Sequence, residues 1–331
     1  MFDIITIGGA TQDIFVDSDF EKILTIKKPQ SQEALLCFDY GAKIEIDKLK
    51  FDIGGGAVNT AVNFSNLGFK TATIIKLGSD LNAQAVLARL KEKQVDNSLV
   101  SNSDKYKTGI SIILTSFEGD RTVLTHKGAN SHISLDEIPW KKIKNSKWIY
   151  IASLSGDSNS VLDKLADFAE ENNISMAFNP GSTQIKRGLE DLKKVLSTAE
   201  VLIMNSSEAS MITEMNDIDK MLCDLKSYGP KIVVITEGKD GVKAFDGKTF
   251  YFAPPFPSKV LSTLGAGDAF ASTFVSMLDR FNWNIEKSLI FASINAASVI
   301  QSFGAQTGLK TFNKLEEINE QNKNFTILKK E

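Results

Sequence analysis

The sequence predicts an α/β fold, with a mostly parallel central sheet covered by helices on both faces and a small β-sheet attached as a lid. Three observations predict it. Strand-like and helix-like segments alternate from Asp3 to Ser302, the pattern of parallel strands joined by crossover helices. The rhythm breaks at residues 15–50 and 107–126, where short alternating segments have no crossover helix. Two glycine clusters, Gly54-Gly55-Gly56 and Gly265-Ala266-Gly267, each run into a helical pattern, and in an open α/β sheet such turns lie where ligands bind.

In chain order, Asp3–Ile7 reads as a buried strand, Val58–Leu67 as a helix ended by Gly68, Thr71–Leu77 as a strand and Ala83–Lys93 as a helix. Gly109–Phe117 and Arg121–His126 read as a hairpin about Glu118-Gly119-Asp120. Trp148–Ala152 follows as a strand, Val161–Asn172 as a helix, Ile174–Phe178 as a strand, Leu189–Leu196 as a helix and Val201–Met204 as a strand. Ile218–Tyr228 is a helix stopped by Gly229-Pro230, and Lys231–Ile235 is a strand. Two final helices, Asp268–Arg280 and Glu286–Ser302, close the core. Within the first break, Glu33–Phe38 and Ala42–Ile46 read as short strands. With no internal repeat or linker, residues 1–331 form one domain, its lid drawn from 15–50 and 107–126.

Composition bounds the function. The chain has 331 residues, 42% hydrophobic and 24% charged, with a formal net charge of -3 and no long basic run. Nothing in that balance points to nucleic acid or a membrane surface. Cys37 and Cys223 lack metal-ligand spacing and read as reduced thiols of a cytoplasmic protein. His126 and His132 are the only histidines, so a His-based zinc site or a Ser-His-Asp triad has almost nothing to draw on. The chain opens on the strand-like Phe2–Gly8, and neither a signal peptide nor a membrane-spanning run is expected.

The most informative segment is Ser262-Thr263-Leu264-Gly265-Ala266-Gly267-Asp268-Ala269-Phe270. A glycine-rich turn at a helix start presents backbone N–H groups to an anion. An acid there would repel an anion if binding were its only task. It makes sense as a general base beside a phosphoryl group, taking the proton of an attacking hydroxyl. Taken alone, the tetrapeptide favours a tight turn followed by an N-cap aspartate, and the catalytic reading gains its weight from the second glycine cluster and the polar motifs between. The upstream cluster leads into Asn59, whose amide both donates and accepts and so suits hydroxyls. The first strand ends in Gly8-Gly9-Ala10-Thr11-Gln12-Asp13, which sets Asp13 to hold a polyol, or merely to cap a turn. No Gly-Lys-Ser/Thr follows either cluster, so neither is a nucleotide P-loop.

These motifs, with Asn179-Pro180, Asn205-Ser206-Ser207-Glu208 and Thr236-Glu237-Gly238-Lys239-Asp240-Gly241 between them, give the chain its likeness. It resembles the ribokinase-like (PfkB) carbohydrate kinase family over essentially its whole length. The resemblance implies a three-layer α/β/α ribokinase-like fold and an ATP-dependent transfer of the γ-phosphoryl group to a sugar hydroxyl. It implies Asp268 as the general base, with the backbone of Gly265, Ala266, Gly267 and Asp268 as the anion hole. It implies Asp13, Gly55, Gly56 and Asn59 at the sugar, and Asn179, Asn205, Glu208, Thr236, Gly238, Gly241 and Asn295 at ATP. Glu208 would act on Mg²⁺ through water. Asn205 with Glu208 also fits a helix-capping pair, and Asn295 fits a polar residue on a packed helix.

Two departures from the family pattern matter. Ser262 stands where potassium-activated members carry an acid, which leaves a monovalent cation open. Gly56 stands where ribokinase carries a lysine, which weighs against a phosphorylated acceptor at that point. Lys127-Gly128-Ala129-Asn130 resembles the Gly-Ala-Asn of ribokinase and fructokinase relatives and sets a sugar ahead of a nucleoside. Phe15, Phe38, Tyr40 and Phe117 would hold a base in a nucleoside kinase, or serve as the lid's core or a lid-to-lid contact. A sensor that binds sugar or nucleotide without turnover is the remaining alternative, and Asp268 argues against it. A small sheet needs its second face covered, so the lid is expected to close over the acceptor and to contribute to a homodimer.

Overall fold

The computed structural model describes residues 1–17, 22–28, 31–115 and 121–331. A nine-stranded sheet forms the centre. From one edge it runs Leu328–Lys330, Phe250–Ala253, Val242–Phe245, Ile232–Thr236, Val201–Asn205, Ser175–Phe178, Trp148–Ile151, Ile4–Ile7 and Thr71–Ile74. Pairing is parallel from Ile232–Thr236 through to Thr71–Ile74 and antiparallel toward the other edge.

The parallel strands are apolar on both faces because both are covered. Ile5, Ile7, Ile149, Ile151, Met176, Phe178, Leu202 and Met204 pack on one side against Leu165, Val195, Leu222 and Leu225 of the helices there. Their neighbours in sequence, Ile4, Trp148, Tyr150, Ala177, Val201 and Ile203, pack on the other against Phe64, Phe270, Phe274, Leu278 and Leu289. Alternation along each strand thus splits one sheet between two cores, which yields the three layers.

Most expected elements are present with ends moved by a few residues. Three differences have physical causes. The strand expected at Thr71–Leu77 divides: Thr71–Ile74 joins the main sheet, whereas Lys76–Gly78 pairs with Ser101–Ser103. Residues 42–46 form no strand and lie exposed, because their alternation finds no partner edge. The fold does not close at residue 302: a helix at Phe312–Gln321 and an edge strand at Leu328–Lys330 follow. The first buries only Leu315 fully, too narrow an apolar stripe to read from spacing.

The small sheet runs Arg121–His126, Gly109–Thr115, Thr11–Asp17 and Lys48–Gly54. Thr11–Asp17 pairs in parallel with Gly109–Thr115 and antiparallel with Lys48–Gly54. A separate hairpin joins Lys22–Lys28 to Ser31–Cys37. The expected turn Glu118-Gly119-Asp120, and Phe117, lie outside the described residues. Among the described residues, no helix is long and apolar enough to cross a membrane.

Candidate active site

How each helix begins decides where the site lies. The helices Leu81–Glu92, Ser206–Thr213, Ile218–Ser227 and Ile285–Val299 start at Asp80, Asn205, Asp217 and Asn284, whose side chains accept a backbone N–H of the first turn. The helices Gly56–Asn66 and Ala266–Arg280 start instead at Gly55 (φ 93°) and Gly265 (φ 77°), with no side-chain cap. Only glycine adopts those angles freely. Both turns are also jammed: a Cβ on Gly55 would lie 2.5 Å from the Gly9 carbonyl oxygen, and one on Gly265 would lie 2.5 Å from the Ala305 Cβ. At the second helix, Ala266 N–H reaches back to Thr263 O at 3.4 Å and Ala269 N–H makes the first helical bond, to Gly265 O at 2.9 Å. Helix geometry leaves the N–H groups of Gly267 and Asp268 without an intrahelical acceptor. Gly267 is open on its outer side, with nothing within 4 Å of where a Cβ would stand.

Asp268 sits beside those N–H groups. One carboxylate oxygen accepts from Asn59 Nδ2 at 2.8 Å, and the other would be 3.7 Å from a Cβ on Gly56. Burial pushes the Asp268 carboxyl up to about 6, the Asn59 bond pulls it down, and the Asp13 charge pushes it up. Asp13 is buried at the root of the lid, accepting from Thr11 Oγ1 at 2.8 Å. Burial raises it too to about 6, against the hydroxyl bonds of Thr11 and Ser111 and with the Asp52 charge. Gly54 is glycine because a Cβ there would lie 2.0 Å from an Asp13 oxygen. The Asp13 charge adds to the upward push on Asp268, though burial dominates both acids.

A cavity of about 220 Å³ opens beside Asp268, lined also by Gly56, Asn179, Asn205, Glu208, Thr236 and Gly267. Asn205 and Thr236 end parallel strands, and Asn179 directly follows one, so the cavity lies at the carboxyl edge of the sheet, as α/β folds require. Asn205 and Glu208 form a capping box: Glu208 N–H donates to Asn205 Oδ1 at 2.8 Å, and Asn205 N–H donates to Glu208 Oε2 at 3.1 Å. The capping reading is therefore present, and it leaves Glu208 on the cavity wall, its carboxyl raised by burial. Gly238 (φ 56°) and Gly241 (φ 100°) shape the turn after Thr236 without lining the cavity.

Asn179 turns partly inward: its Nδ2 donates to Ile203 O at 2.8 Å, and its Oδ1 accepts from the Tyr150 hydroxyl at 3.3 Å. Asn295 stands apart from the cavity. It is fully buried, donates to Asn63 Oδ1 and Thr273 Oγ1, and accepts from Lys310 N–H. With Asn63 it ties three helices together. Ser262 spends its hydroxyl on its own turn, accepting from Leu264 N–H at 3.3 Å.

Sequence reasoning missed Ser153, Gly181, Ile203 and Met204 on the cavity wall, and Arg89 and Gln306 behind Asn59. The first four carry no chemical signature. The last two belong to no motif, and only folding brings Gln306 to Asn59 and Arg89 to Gln306.

A glycine-started helix offering two N–H groups and an acid to one cavity, at the carboxyl edge of this sheet, suits transfer of an anionic group to an alcohol. The pfkB family carbohydrate kinase model matches residues 30–311, and the chain belongs to that family. It is 28% identical over 322 residues to a ribokinase of Bacillus subtilis, covering 96% of this chain and 99% of that protein. Among solved structures, Arabidopsis thaliana ribokinase complexed with ribose and ATP matches at a TM-score of 0.79 and 20% identity, covering 96% of this chain and 98% of that one. The Methanocaldococcus jannaschii nucleoside kinase, an archaeal member of the ribokinase family, matches at 0.77 and 23%, covering 96% and 98%. At these identities the two structures speak for the ribokinase-like fold alone.

Proposed function

We propose that the enzyme transfers the γ-phosphoryl group of ATP to a hydroxyl of a sugar of the ribokinase or fructokinase kind, with Asp268 as general base. The observation that carries this reading is the position of Asp268 on the helix that offers its first N–H groups to the same cavity. An acid with a pKa near 6 is ionised at neutral pH yet basic enough to take a hydroxyl proton as the bond to phosphorus forms. The N–H groups of Gly267 and Asp268 meet the charge that builds on the transferred group; one such donor supplies ~2.7–4 kcal/mol of transition-state stabilisation. Thr236 and the Gly238–Gly241 turn follow the nucleotide's phosphates and ribose, and Asn179 borders it. Asp13 and Asn59, with the close backbone of Gly55 and Gly56, hold the acceptor.

Glu208 and Asn205 fit the cation that accompanies ATP: Glu208 is a hard oxygen donor on the cavity wall, and only its Oε2 is engaged by the capping box. One carboxylate suits Mg²⁺, which keeps several waters and takes its other oxygens from phosphates. When bound, Mg²⁺ neutralises charge on the phosphates. Ser262 brings no charge to the turn, so a monovalent cation is not part of the reading.

The alternative acceptor is a nucleoside. Phe15 follows Asp13 on the same face of the lid strand, in register with Ile113, and an aromatic there could stack on a base. Release of ADP across pentoses, hexoses, ketohexose phosphates and nucleosides tests the reading. Turnover of a sugar is expected. Turnover of nucleosides alone would move the assignment to the alternative, and nucleotide binding with no turnover would leave a sensor.

The pH profile should carry the signature of the acid pair. Both Asp13 and Asp268 have pKa values raised to about 6, so protonation below that pH disables the base and weakens acceptor binding. The expected kcat/KM for the acceptor rises with pH through about 6 and levels above it. A profile flat down to pH 5 would mean that neither carboxylate titrates in the catalytic cycle.

The lid's outer face supports a homodimer. Ile14, Phe51, Ile112 and Leu124 lie opposite one another in register, beside Val16, Leu49 and Leu114. Phe51 is 59% exposed, Leu124 54% and Leu49 52%, a contiguous apolar surface of the kind that marks an interface. The inner face carries Asp13, Phe15 and Ser111 toward the acceptor. We expect a dimer by light scattering, and slower amide exchange at residues 109–115 when sugar binds. A monomer whose lid exchanges unchanged would remove both roles.

A further inference from the structure

Asn59 has an amide of nearly symmetric shape, so packing alone does not decide which end faces Asp268. Gln306 decides it. Its Nε2 donates to Asn59 Oδ1 at 3.0 Å and to Ile53 O at 3.0 Å, which leaves Asn59 Nδ2 for the Asp268 carboxylate at 2.8 Å. Gln306 has the same ambiguity, and Arg89 removes it. Arg89 Nη1 donates to Gln306 Oε1 at 2.8 Å, and a guanidinium has no acceptor to offer, so Gln306 must present its oxygen. Arg89 is held in turn by Asp52 Oδ1 at 3.0 Å and by Glu92 Oε2 at 3.3 Å. Donors therefore point one way, from Arg89 through Gln306 and Asn59 to Asp268. The middle of the chain is dry, with Gln306 6% and Asn59 7% exposed.

The anchor lies in the lid. Asp52 is on the strand Lys48–Gly54, directly opposite Asp13. The loop that carries Gln306 docks on this strand: Lys50 Nζ donates to Phe303 O at 3.2 Å, and Gly304 (φ 100°) sits so close that a Cβ would lie 2.3 Å from Asp52 Oδ2. One run of bonds thus joins the base of the lid to the carboxylate in the cavity.

We propose that Arg89 and Gln306 are positioning residues for phosphoryl transfer, fixing the Asn59 amide so that it donates to Asp268. The proposal rests on Asp268 being the base. The titratable groups that face Asp268 are Asp13 and the buried Tyr150 hydroxyl, whose pKa is raised well above its usual value. Arg89, Asp52, Glu92 and Lys50 surround the Gln306 end.

The test is the pH profile of kcat in Gln306→Glu and Gln306→Met, read beside Asp268→Asn. Gln306→Glu keeps the shape and the Arg89 bond but loses the donor to Asn59. Asn59 then turns its N–H to the new carboxylate and its oxygen to Asp268. Gln306→Met removes the donor without adding charge. Loss of a hydrogen bond to the ionised form raises an acid's pKa. The acid limb of kcat should therefore move up by about one pH unit, a roughly fivefold loss at pH 6 that grows toward about tenfold below pH 5 and shrinks toward pH 8. KM for ATP should stay within about twofold. A merely structural role lowers kcat equally at every pH. An unshifted limb in both folded variants, with Asp268→Asn inactive, would overturn the relay and leave the base standing. An active Asp268→Asn would overturn the base itself. Should neither Gln306 variant fold, Arg89→Lys, which keeps the charge beside Asp52 but not the two-nitrogen geometry, carries the same readout.

Discussion

Asp268→Asn should lower kcat by about 10²–10⁴-fold, the usual worth of a general base, while ATP binding stays nearly intact. The change keeps the size of the side chain and its place at the helix start. The N–H groups of Gly267 and Asp268 belong to the backbone and survive. On the proposed reading ATP binding draws mainly on Asn205 and Thr236, which end two strands, and on Glu208 of the helix Ser206–Thr213, none of which the change touches. What disappears is the atom that takes the acceptor's proton. Removing the charge also relieves the repulsion between Asp268 and Asp13, so acceptor binding should hold or tighten while turnover collapses. That split, measured as kcat against the two KM values, separates loss of chemistry from loss of fold. Near wild-type turnover would take Asp268 out of the reaction.

The same acid pair has a consequence for stability. Both folded pKa values lie above the ordinary carboxylate value, so the folded protein binds these protons more tightly than the unfolded chain does. Between about pH 4 and 6 the two groups therefore favour the fold at the acid end, and that contribution is lost as pH rises through about 6. The enzyme holds two carboxylates charged at neutral pH against the preference of their surroundings, which is where an acid must stand to act as a base.

The parts of this arrangement that were legible in the sequence are those that local chemistry dictates. Gly265 and Gly55 are readable because glycine takes positive φ without strain, and Asp268 because it follows the turn closely. The parallel strands were readable because burial on both faces leaves largely apolar runs such as Val201–Met204 and Ile232–Ile235. The antiparallel edge was not. Phe250–Ala253 and Leu328–Lys330 meet across more than seventy residues of chain, and nothing local marks that pairing. Asn295 shows the opposite limit. Its position in the helix was legible, but its partners Asn63 and Thr273 come from two other helices, and only the fold reveals that its amide is spoken for. Arg89 and Gln306 escaped for the same reason: they act through residues brought near by folding.

Asp13→Ala is expected to raise the acceptor's KM by about 10- to 100-fold with little change in KM for ATP, since a hydrogen bond to a charged group is worth ~1.5–3 kcal/mol. Asp13 is 5% exposed and is held by Thr11 at the root of the lid. Burial raises its pKa to about 6, and on the proposed reading acceptor hydroxyls would offset the cost of holding it charged. It lies on the lid side of the site, away from the lining of the cavity beside Asp268, so a change there should spare the nucleotide. Asn59→Ala should behave differently. Because Asn59 donates to Asp268 at 2.8 Å, its loss should raise the base's pKa and lower kcat below about pH 7 as well as weakening acceptor binding. The two variants together divide the site. Asp13→Ala should act on the acceptor's KM, and Asn59→Ala on that KM and on the pH dependence of turnover. If Asp13→Ala instead weakens ATP and leaves the acceptor alone, the acceptor does not bind under the lid, and the two ends of the site have been assigned the wrong way round.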